Sequence, residues 1–268
     1  METIQYEVKD GVGTLTLNRP HRKNAIDSVM REELKEVVAS MPRQRDLRAL
    51  IITGAGATFC AGGDISVMGA GTLSPEDGRH RMRHDYLSWI ETLLRLEIPV
   101  ISAVEGAAYG AGFSLALTAD IILAAPSSRF CLSFMKLGLI PDCAAFYTLP
   151  RVVGLQRAKE LAFSARELSA QEARELGIVL EVLPEGRVLE RAQQMAHCFA
   201  QAAPAALAMT KKRVALSRRS WMPRARMGTP RDSAALAEAT AALPCGARAT
   251  CSTAAAVLSV STSTADGT

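Results

Sequence analysis

The sequence predicts an α/β fold in which strand–strand–helix units precede a helical C-terminal region. Apolar residues alternate near the N-terminus, which is typical of strands with one buried face, whereas the sequence from Leu155 onward has mostly helical periodicity. Continuous apolar runs at residues 48–53 and 98–104 have the length of fully buried strands. Strands and helices that alternate in this way favour a layered α/β core.

The predicted elements begin with a β-hairpin. Residues 3–9 alternate, Asp10 to Gly13 supplies the turn, and residues 14–17 form the second strand. Pro20 ends this strand because proline cannot donate to a strand ladder. The other elements are a helix from Asp27 or Ser28 to about 41, a strand at 48–53, a helix at 75–96, a strand at 98–104, a short helix after Gly112, a strand at 120–125, and helices at 155–164, 169–176, 185–203 and 204–219.

Length and composition predict one large domain with a small appendage. The chain has 268 residues, of which 49% are hydrophobic and 22% charged, so a core can form without metals or disulfides. We divide it into a core at 1–200, a helical region at 201–220 and an atypical tail at 221–268. In that tail 25 of 48 residues are Ala, Ser or Thr. Such small or polar side chains bury too little apolar surface to offset the entropy lost when the chain becomes ordered, so we predict poor packing.

Charge and cysteine usage exclude several classes of function. A net charge of +4 suits an anionic ligand but is too small to indicate nucleic acid. No apolar run approaches a membrane span, and residues 1–10 lack a secretory signal, so we expect a cytoplasmic protein with no membrane partner. The six cysteines have no paired spacing and no histidine pattern beside them, so we expect no metal site.

Two glycine-rich segments each follow a buried strand, at residues 53–65 and 105–115. Small residues there let the backbone approach a ligand, and N–H groups at a helix start favour negative charge. A dinucleotide site fits poorly, because the first segment lacks the third glycine of its signature and the second lacks the acidic partner. Close packing alone is the other explanation for either segment.

Taken together, the two segments resemble the enoyl-CoA hydratase/isomerase (crotonase) family. They read Phe-Cys-Ala-Gly-Gly-Asp-Ile at 59–65 and Gly-x-x-x-Gly-Ala-Gly at 106–112. The likeness covers about residues 3–219 and is nearest in motifs to the family's enoyl-CoA isomerases, such as 1,2-epoxyphenylacetyl-CoA isomerase. It implies a crotonase-like (ββα) superhelix core with a helical C-terminal region. Further matches are Asn18-Arg19-Pro20, Asn24-Ala25-Ile26, Ile98-Pro99-Val100-Ile101, Leu137 to Asp142, Leu149-Pro150-Arg151 and Ala158 to Leu161.

The resemblance implies a site for an acyl thioester of coenzyme A (CoA). The backbone N–H groups of Gly63 and Ala111 would stabilise the thioester enolate, a role that needs no side chain. Arg22 and Lys23 would meet the phosphates of CoA, although a solvated basic loop explains them equally well, and Asp64 would fix its loop by hydrogen bonds. The implied substrate-binding residues are Arg22, Lys23, Ala25, Ala61, Gly63, Asp64, Ile65, Gly110, Ala111, Ser114 and Phe134.

The same resemblance identifies candidates for proton transfer. Family hydratases use two glutamates, whose positions are occupied here by Ser114 and Phe134, so hydration of an enoyl-CoA is not expected. Asp142 matches the acid/base aspartate of the isomerases. Four apolar residues would partly desolvate it and raise its pKa: Leu139, Ile140, Pro141 and Phe134. The other interpretation of Asp142 is a helix N-cap.

We therefore expect double-bond isomerisation of an enoyl-CoA, with no cofactor beyond the CoA of the substrate. The alternatives are a hydratase of fatty-acid or aromatic-acid breakdown, a dehalogenase or hydrolase with a nucleophilic Asp142, and an acyl-CoA-binding protein without turnover. His80, His84 and Asp85 match a helix that often lines the family's acyl pocket, although a solvated face is the favoured interpretation. The family implies a homotrimer or a pair of trimers, weakened here by the atypical tail.

Overall fold

The computed structural model of the chain describes residues 1–68 and 86–217. The predicted N-terminal hairpin and first helix are confirmed, and Asp27 caps that helix by accepting from the N–H of Met30 at 2.9 Å. The elements up to the second glycine segment are β1 (Ile4–Lys9), β2 (Val12–Leu17), α1 (Ser28–Ser40), β3 (Ala49–Gly54), α2 (Ile65–Met68), α3 (Leu87–Arg95), β4 (Val100–Val104), β5 (Ala107–Tyr109) and α4 (Ala111–Ala116).

The second half of the described chain is mostly helical, as predicted, with four short strands between the helices. Its elements are β6 (Ile121–Ala124), β7 (Arg129–Cys131), a 3-10 helix (Ser133–Leu137), α5 (Ala145–Val153), α6 (Leu155–Ser164), β8 (Leu168–Ser169), α7 (Ala170–Glu175), β9 (Glu181–Val182), α8 (Val188–Ala200) and α9 (Pro204–Ser217).

Two sheets organise these elements. The larger has the order β1-β2-β3-β4-β6-β9; β1 and β2 are antiparallel, and every later neighbour is parallel. The smaller sheet has the order β5-β7-β8, and its strand β5 lies within the second glycine segment. Parallel neighbours require crossovers, and the carboxyl ends of β3 and β4 therefore lie side by side, each followed by a glycine-rich segment.

The core lies on both faces of the larger sheet. Alternate residues of β3 divide between the two faces: Ile51 packs in the cluster that contains α8, whereas Leu50 and Ile52 pack in the cluster that contains α1 and α3. This explains why residues 48–53 are apolar without alternation, since a strand covered on both faces has no solvent side.

The α/β class and the helical C-terminal region are confirmed, but four strands, α2, the 3-10 helix and α5 were not predicted. Strands β5, β7, β8 and β9 have only two or three residues, and each exists through pairing with a distant segment. Helix α5 was missed because it contains Pro150. The start of the helix predicted at 75–96, with His80, His84 and Asp85, and the tail at 221–268 lie outside the described residues. No helix of the described chain is long and apolar enough to span a membrane.

Candidate active site

The first glycine segment presents the N–H of Gly63 away from its neighbouring chain. Ile26 donates to the carbonyl of Gly62 at 2.8 Å and accepts from the N–H of Asp64 at 3.0 Å. Backbone groups alternate in direction along an extended segment, so the N–H of Gly63 points to the opposite side from Ile26. None of the described residues accepts a hydrogen bond from this N–H group.

The second N–H group belongs to Ala111, the first residue of α4. Gly110 precedes it with φ 50° and ψ −121°, a conformation that glycine tolerates, and donates to the carbonyl of Cys131 at 2.8 Å. The N–H of a first helical residue has no partner within its helix. Within the described ranges no other group accepts from it either.

The two segments are in direct contact, which brings these N–H groups to one place. A Cβ atom built on Gly62 would lie 2.7 Å from the carbonyl oxygen of Tyr109 and 3.5 Å from the nitrogen of Ala111. One built on Gly112 would lie 2.3 Å from the carbonyl oxygen of Cys60. A side chain at either glycine would force the segments apart. Adjacent free donors of this kind can stabilise negative charge on a bound oxygen.

A basic loop lies next to the first segment. His21, Arg22 and Lys23 are all exposed, and Lys23 and Asn24 both have left-handed backbone, with φ 53° and 54°. The buried Asn24 side chain holds this turn, because its amide donates to the carbonyls of Ala55 at 2.9 Å and Thr58 at 2.6 Å. The carbonyl of Lys23 in turn accepts from the N–H of Ala61 at 3.0 Å. The loop therefore presents its cations to solvent from a backbone that is hydrogen-bonded to the first glycine segment.

Asp142 lies in the segment between the 3-10 helix and α5, and its carboxyl group is largely buried. Burial raises the pKa of Asp142 from 3.8 to about 6. Its Oδ1 atom is buried and has no hydrogen-bond partner among the described residues. An N-cap role is wrong, because the cap of α5 is Ala144 and no side chain caps that helix. A desolvated carboxyl with a free oxygen is suited to exchanging a proton with a bound ligand.

The residues expected to desolvate Asp142 are buried only in part. Pro141 and Phe134 are buried, whereas the side chains of Leu139 and Ile140 are 43% and 72% exposed. The Cys143 thiol is the immediate neighbour of Asp142. Burial raises the pKa of Cys143 well above its usual range, and Asp142 and Cys60 raise it further. Tyr86, directly before α3, is buried nearby, and its pKa is raised mainly by burial and further by Cys143 and Asp142.

The two positions where family hydratases have glutamates contain no titratable group. Ser114 is fully buried and its hydroxyl donates to the carbonyl of Gly110 at 3.2 Å, inside the first turn of α4. The side chain of Phe134 is 7% exposed, and its Cζ atom lies 3.9 Å from a Cβ built on Gly110. Phe134 therefore forms an apolar wall beside the Ala111 donor, and it links the donor region to the segment that carries Asp142.

Asp64 contributes to the frame of the site. Its Oδ1 accepts from the hydroxyl of Ser66 at 2.6 Å and from the Ser66 N–H at 3.1 Å, and its Oδ2 pairs with Arg19 at 3.3 Å. These bonds, led by the Ser66 hydroxyl, lower the pKa of Asp64. Ile65 is 64% exposed at the start of α2, and Ala61 and Ala25 are partly buried between the two loops.

Sequence reasoning gave no role to Tyr86, Cys143 or Arg19. Asp142 and Tyr86 are far apart in the chain, so only the tertiary structure shows that they are neighbours. Cys143 follows Asp142 directly, but its left-handed backbone, with φ 48°, is not apparent from the residue type. Arg19 was visible as part of Asn-Arg-Pro, although nothing in that motif indicates which carboxylates it contacts.

Comparisons with known proteins show which family and which fold this chain resembles. The family model for enoyl-CoA hydratase/isomerase matches residues 7–229. The 1,2-epoxyphenylacetyl-CoA isomerase of Escherichia coli K12 is 40% identical over 80% of this chain and 82% of its own length. A probable enoyl-CoA hydratase of Rhodobacter capsulatus is 37% identical over 78% and 80%. The crystal structure of an enoyl-CoA hydratase/isomerase from Cupriavidus metallidurans is 39% identical with a TM-score of 0.75, covering 96% of this chain and 92% of that one.

Proposed function

This chain belongs to the enoyl-CoA hydratase/isomerase family, and we propose that it isomerises an enoyl-CoA by shifting the double bond, with Asp142 as both acid and base. The state of the Asp142 carboxyl supports this reaction most strongly. The group is buried, its Oδ1 has no hydrogen-bond partner among the described residues, and its pKa is raised to about 6. A carboxyl of that pKa can accept and return a proton near neutral pH.

In the proposed mechanism the thioester carbonyl oxygen accepts hydrogen bonds from the N–H groups of Gly63 and Ala111. Asp142 removes a proton from the carbon next to that carbonyl, and the electron pair moves onto the thioester oxygen as an enolate. The carboxylic acid then returns the proton at a different carbon, and the double bond shifts. One carboxylate and two fixed donors complete the cycle, and no cofactor is needed.

The residues at 114 and 134 support isomerisation over hydration. Hydration by the family's two-glutamate mechanism requires carboxylates to hold the attacking water, whereas the Ser114 hydroxyl is engaged with the Gly110 carbonyl and Phe134 is apolar. Both an isomerase and a probable hydratase are similar to this chain, so only a direct assay distinguishes the two reactions.

The test follows isomerisation of a 3-enoyl-CoA and hydration of a 2-enoyl-CoA side by side for wild type, Asp142→Asn and Ser114→Ala. Asp142→Asn preserves shape but has no proton-accepting carboxylate, so isomerisation should fall by about 10²–10⁴-fold. Ser114→Ala, which removes a hydroxyl that has no basicity near neutral pH, should retain isomerisation. Brisk hydration by wild type that Asp142→Asn leaves intact would overturn the proposal.

We also propose that the enzyme acts in the cytoplasm as a homotrimer or a pair of trimers. Exposed apolar side chains at residues 135–163 support a contact surface, with Ile140, Leu155 and Phe163 each about 70% exposed. Burying such a surface between subunits is favourable. Light scattering at several protein concentrations tests the assembly, and a monomer at all of them would overturn this part of the proposal.

A further inference from the structure

Arg19 connects the basic loop to the first donor segment. Its Nη1 donates to the carbonyl of Ala25 at 2.6 Å and pairs with Oδ2 of Asp64 at 3.3 Å, and its Nη2 pairs with Asp27 at 3.0 Å. All three charged side chains are 10–16% exposed. The guanidinium is planar and rigid, so it fixes the distance between the two segments that it joins.

A second, uncharged connection joins the same two segments. The Cys60 thiol lies 3.1 Å from the carbonyl of Asn24, and the N–H of Gly62 lies 3.4 Å from its sulfur. Full burial raises the pKa of the Cys60 thiol to about 12, so it stays protonated and can donate to the Asn24 carbonyl. Asn24 follows Arg22 and Lys23 directly, so this contact begins at the basic loop.

Gly63 is therefore held from both sides by contacts that lead to the basic loop. Its neighbour Gly62 is tied through Cys60, and its neighbour Asp64 is tied through Arg19. The N–H of Gly63 itself takes no part in these bonds and stays available to a ligand. A shift of the basic loop on ligand binding would consequently move or steady this donor.

We propose that Arg19 is a positioning residue that couples binding of the nucleotide end of an acyl-CoA to the alignment of the Gly63 N–H with the thioester oxygen. The inference rests on the proposed acyl-CoA function. It adds that the nucleotide end of the substrate influences catalysis at the thioester end. Binding energy from a remote part of a substrate can raise kcat when it is used to orient groups at the reacting centre.

The test compares one enoyl group carried by CoA with the same enoyl group carried by pantetheine, which lacks the nucleotide. In wild type, loss of the nucleotide should lower kcat as well as raise KM. Arg19→Lys keeps the charge but cannot bridge Ala25, Asp27 and Asp64 at once. It should lower kcat for the CoA thioester by about ten- to a hundredfold, while kcat for the pantetheine thioester stays within about twofold of wild type.

Two further variants keep the test decisive. Asp27→Asn weakens the same bridge, keeps a residue that can cap α1, and should show the same split between substrates, which covers the case that Arg19→Lys does not fold. Arg191→Lys is the matched control, because Arg191 forms a two-bond pair with Glu181 that has no contact with either loop; its kinetics should match wild type. Thermal unfolding of each variant establishes that it is folded.

Equal loss of kcat on both substrates would overturn the coupling and leave Arg19 with only a structural role. Unchanged kcat on both substrates would overturn it as well. Failure of the proposed function has a different signature, because wild type itself would turn over neither thioester, and that result would overturn both proposals.

Discussion

The two halves of the candidate site are built in opposite ways. The donor half, around Gly63 and Ala111, is a frame of satisfied hydrogen bonds from which two N–H groups project. The carboxyl half has an unpartnered buried oxygen on Asp142, followed by two non-glycine residues in left-handed conformations, Cys143 with φ 48° and Ala144 with φ 67°. In the two donor segments only glycines have left-handed backbone, whereas left-handed non-glycine residues and a buried, unpartnered oxygen both cost free energy in the carboxyl half.

The difference indicates which half carries the choice of chemistry. Backbone donors depend on close packing of glycines and tolerate many side chains around them, so a fold can retain them across different reactions. A desolvated carboxyl is unfavourable for stability and persists where it serves a function. Changes in the donor half should therefore reduce catalysis of any enolate reaction, and changes in the carboxyl half should trade activity against stability.

Within the donor half the largest effect is expected from Ala111→Pro. Proline is tolerated at the first residue of a helix but has no N–H group, so the change deletes one donor and should lower kcat by about 10²–10³-fold. Ser28→Pro introduces the same residue at the first position of α1, where the side chain is exposed, and should leave kcat near wild type. Activity of Ala111→Pro within about tenfold of wild type would exclude a central role for this donor.

The pH profile tests the carboxyl half. Because the pKa of Asp142 is about 6 and the base must be ionised, kcat/KM for isomerisation should fall about tenfold per pH unit below that value and level off above it. Ser114→Ala should give the same profile. A profile that stays flat well below pH 6 would show that another group accepts the proton.

Stability should respond in the opposite direction to activity. The folded-state pKa of Asp142 is raised from 3.8 to about 6, so folding disfavours the ionised form, and stability is lost as pH rises between these values. Asp142→Asn removes that cost and should raise the free energy of unfolding at pH 7 by about 2–3 kcal/mol. Urea unfolding at pH 7 and near pH 4 measures the difference, which should shrink at the lower pH. A destabilised variant at pH 7 would contradict the desolvation account.

The smallest effect concerns the backbone after Asp142. Ala144→Gly removes a Cβ atom from a left-handed residue and should stabilise the fold by about 1 kcal/mol. Ala158→Gly, inside α6, is the matched control and should destabilise by about 0.5–1 kcal/mol. If both changes destabilise equally in thermal unfolding, Ala144 stores no strain.

The sequence predicted the donor half better than the carboxyl half, and the reason is physical. Close approach of the backbone at Gly62 and Gly112 requires glycine, so the residue type itself marks the place. The long elements, such as the apolar strand at 48–53, were predictable for a similar reason, since burial on both faces leaves an uninterrupted apolar run.

The burial of Asp142 was predictable only in part. Pro141 and Phe134 are buried as expected, but Ile140 is exposed, and sequence does not reveal that Tyr86, directly before α3, lies close to Asp142. The two-residue strands β8 and β9 were missed for the same reason, because they have no local pattern and form only by pairing with β7 and β6.

The most direct test of a single acid/base acting beside two backbone donors is hydrogen exchange at the carbon next to the thioester. A panel of acyl-CoAs is incubated in D₂O with wild type, Asp142→Asn and Ser114→Ala, and deuterium incorporation is followed by NMR. Wild type and Ser114→Ala should exchange at similar rates, and Asp142→Asn should be slower by about 10²–10⁴-fold. Exchange by Asp142→Asn at the wild-type rate would contradict the assignment of Asp142 as the base.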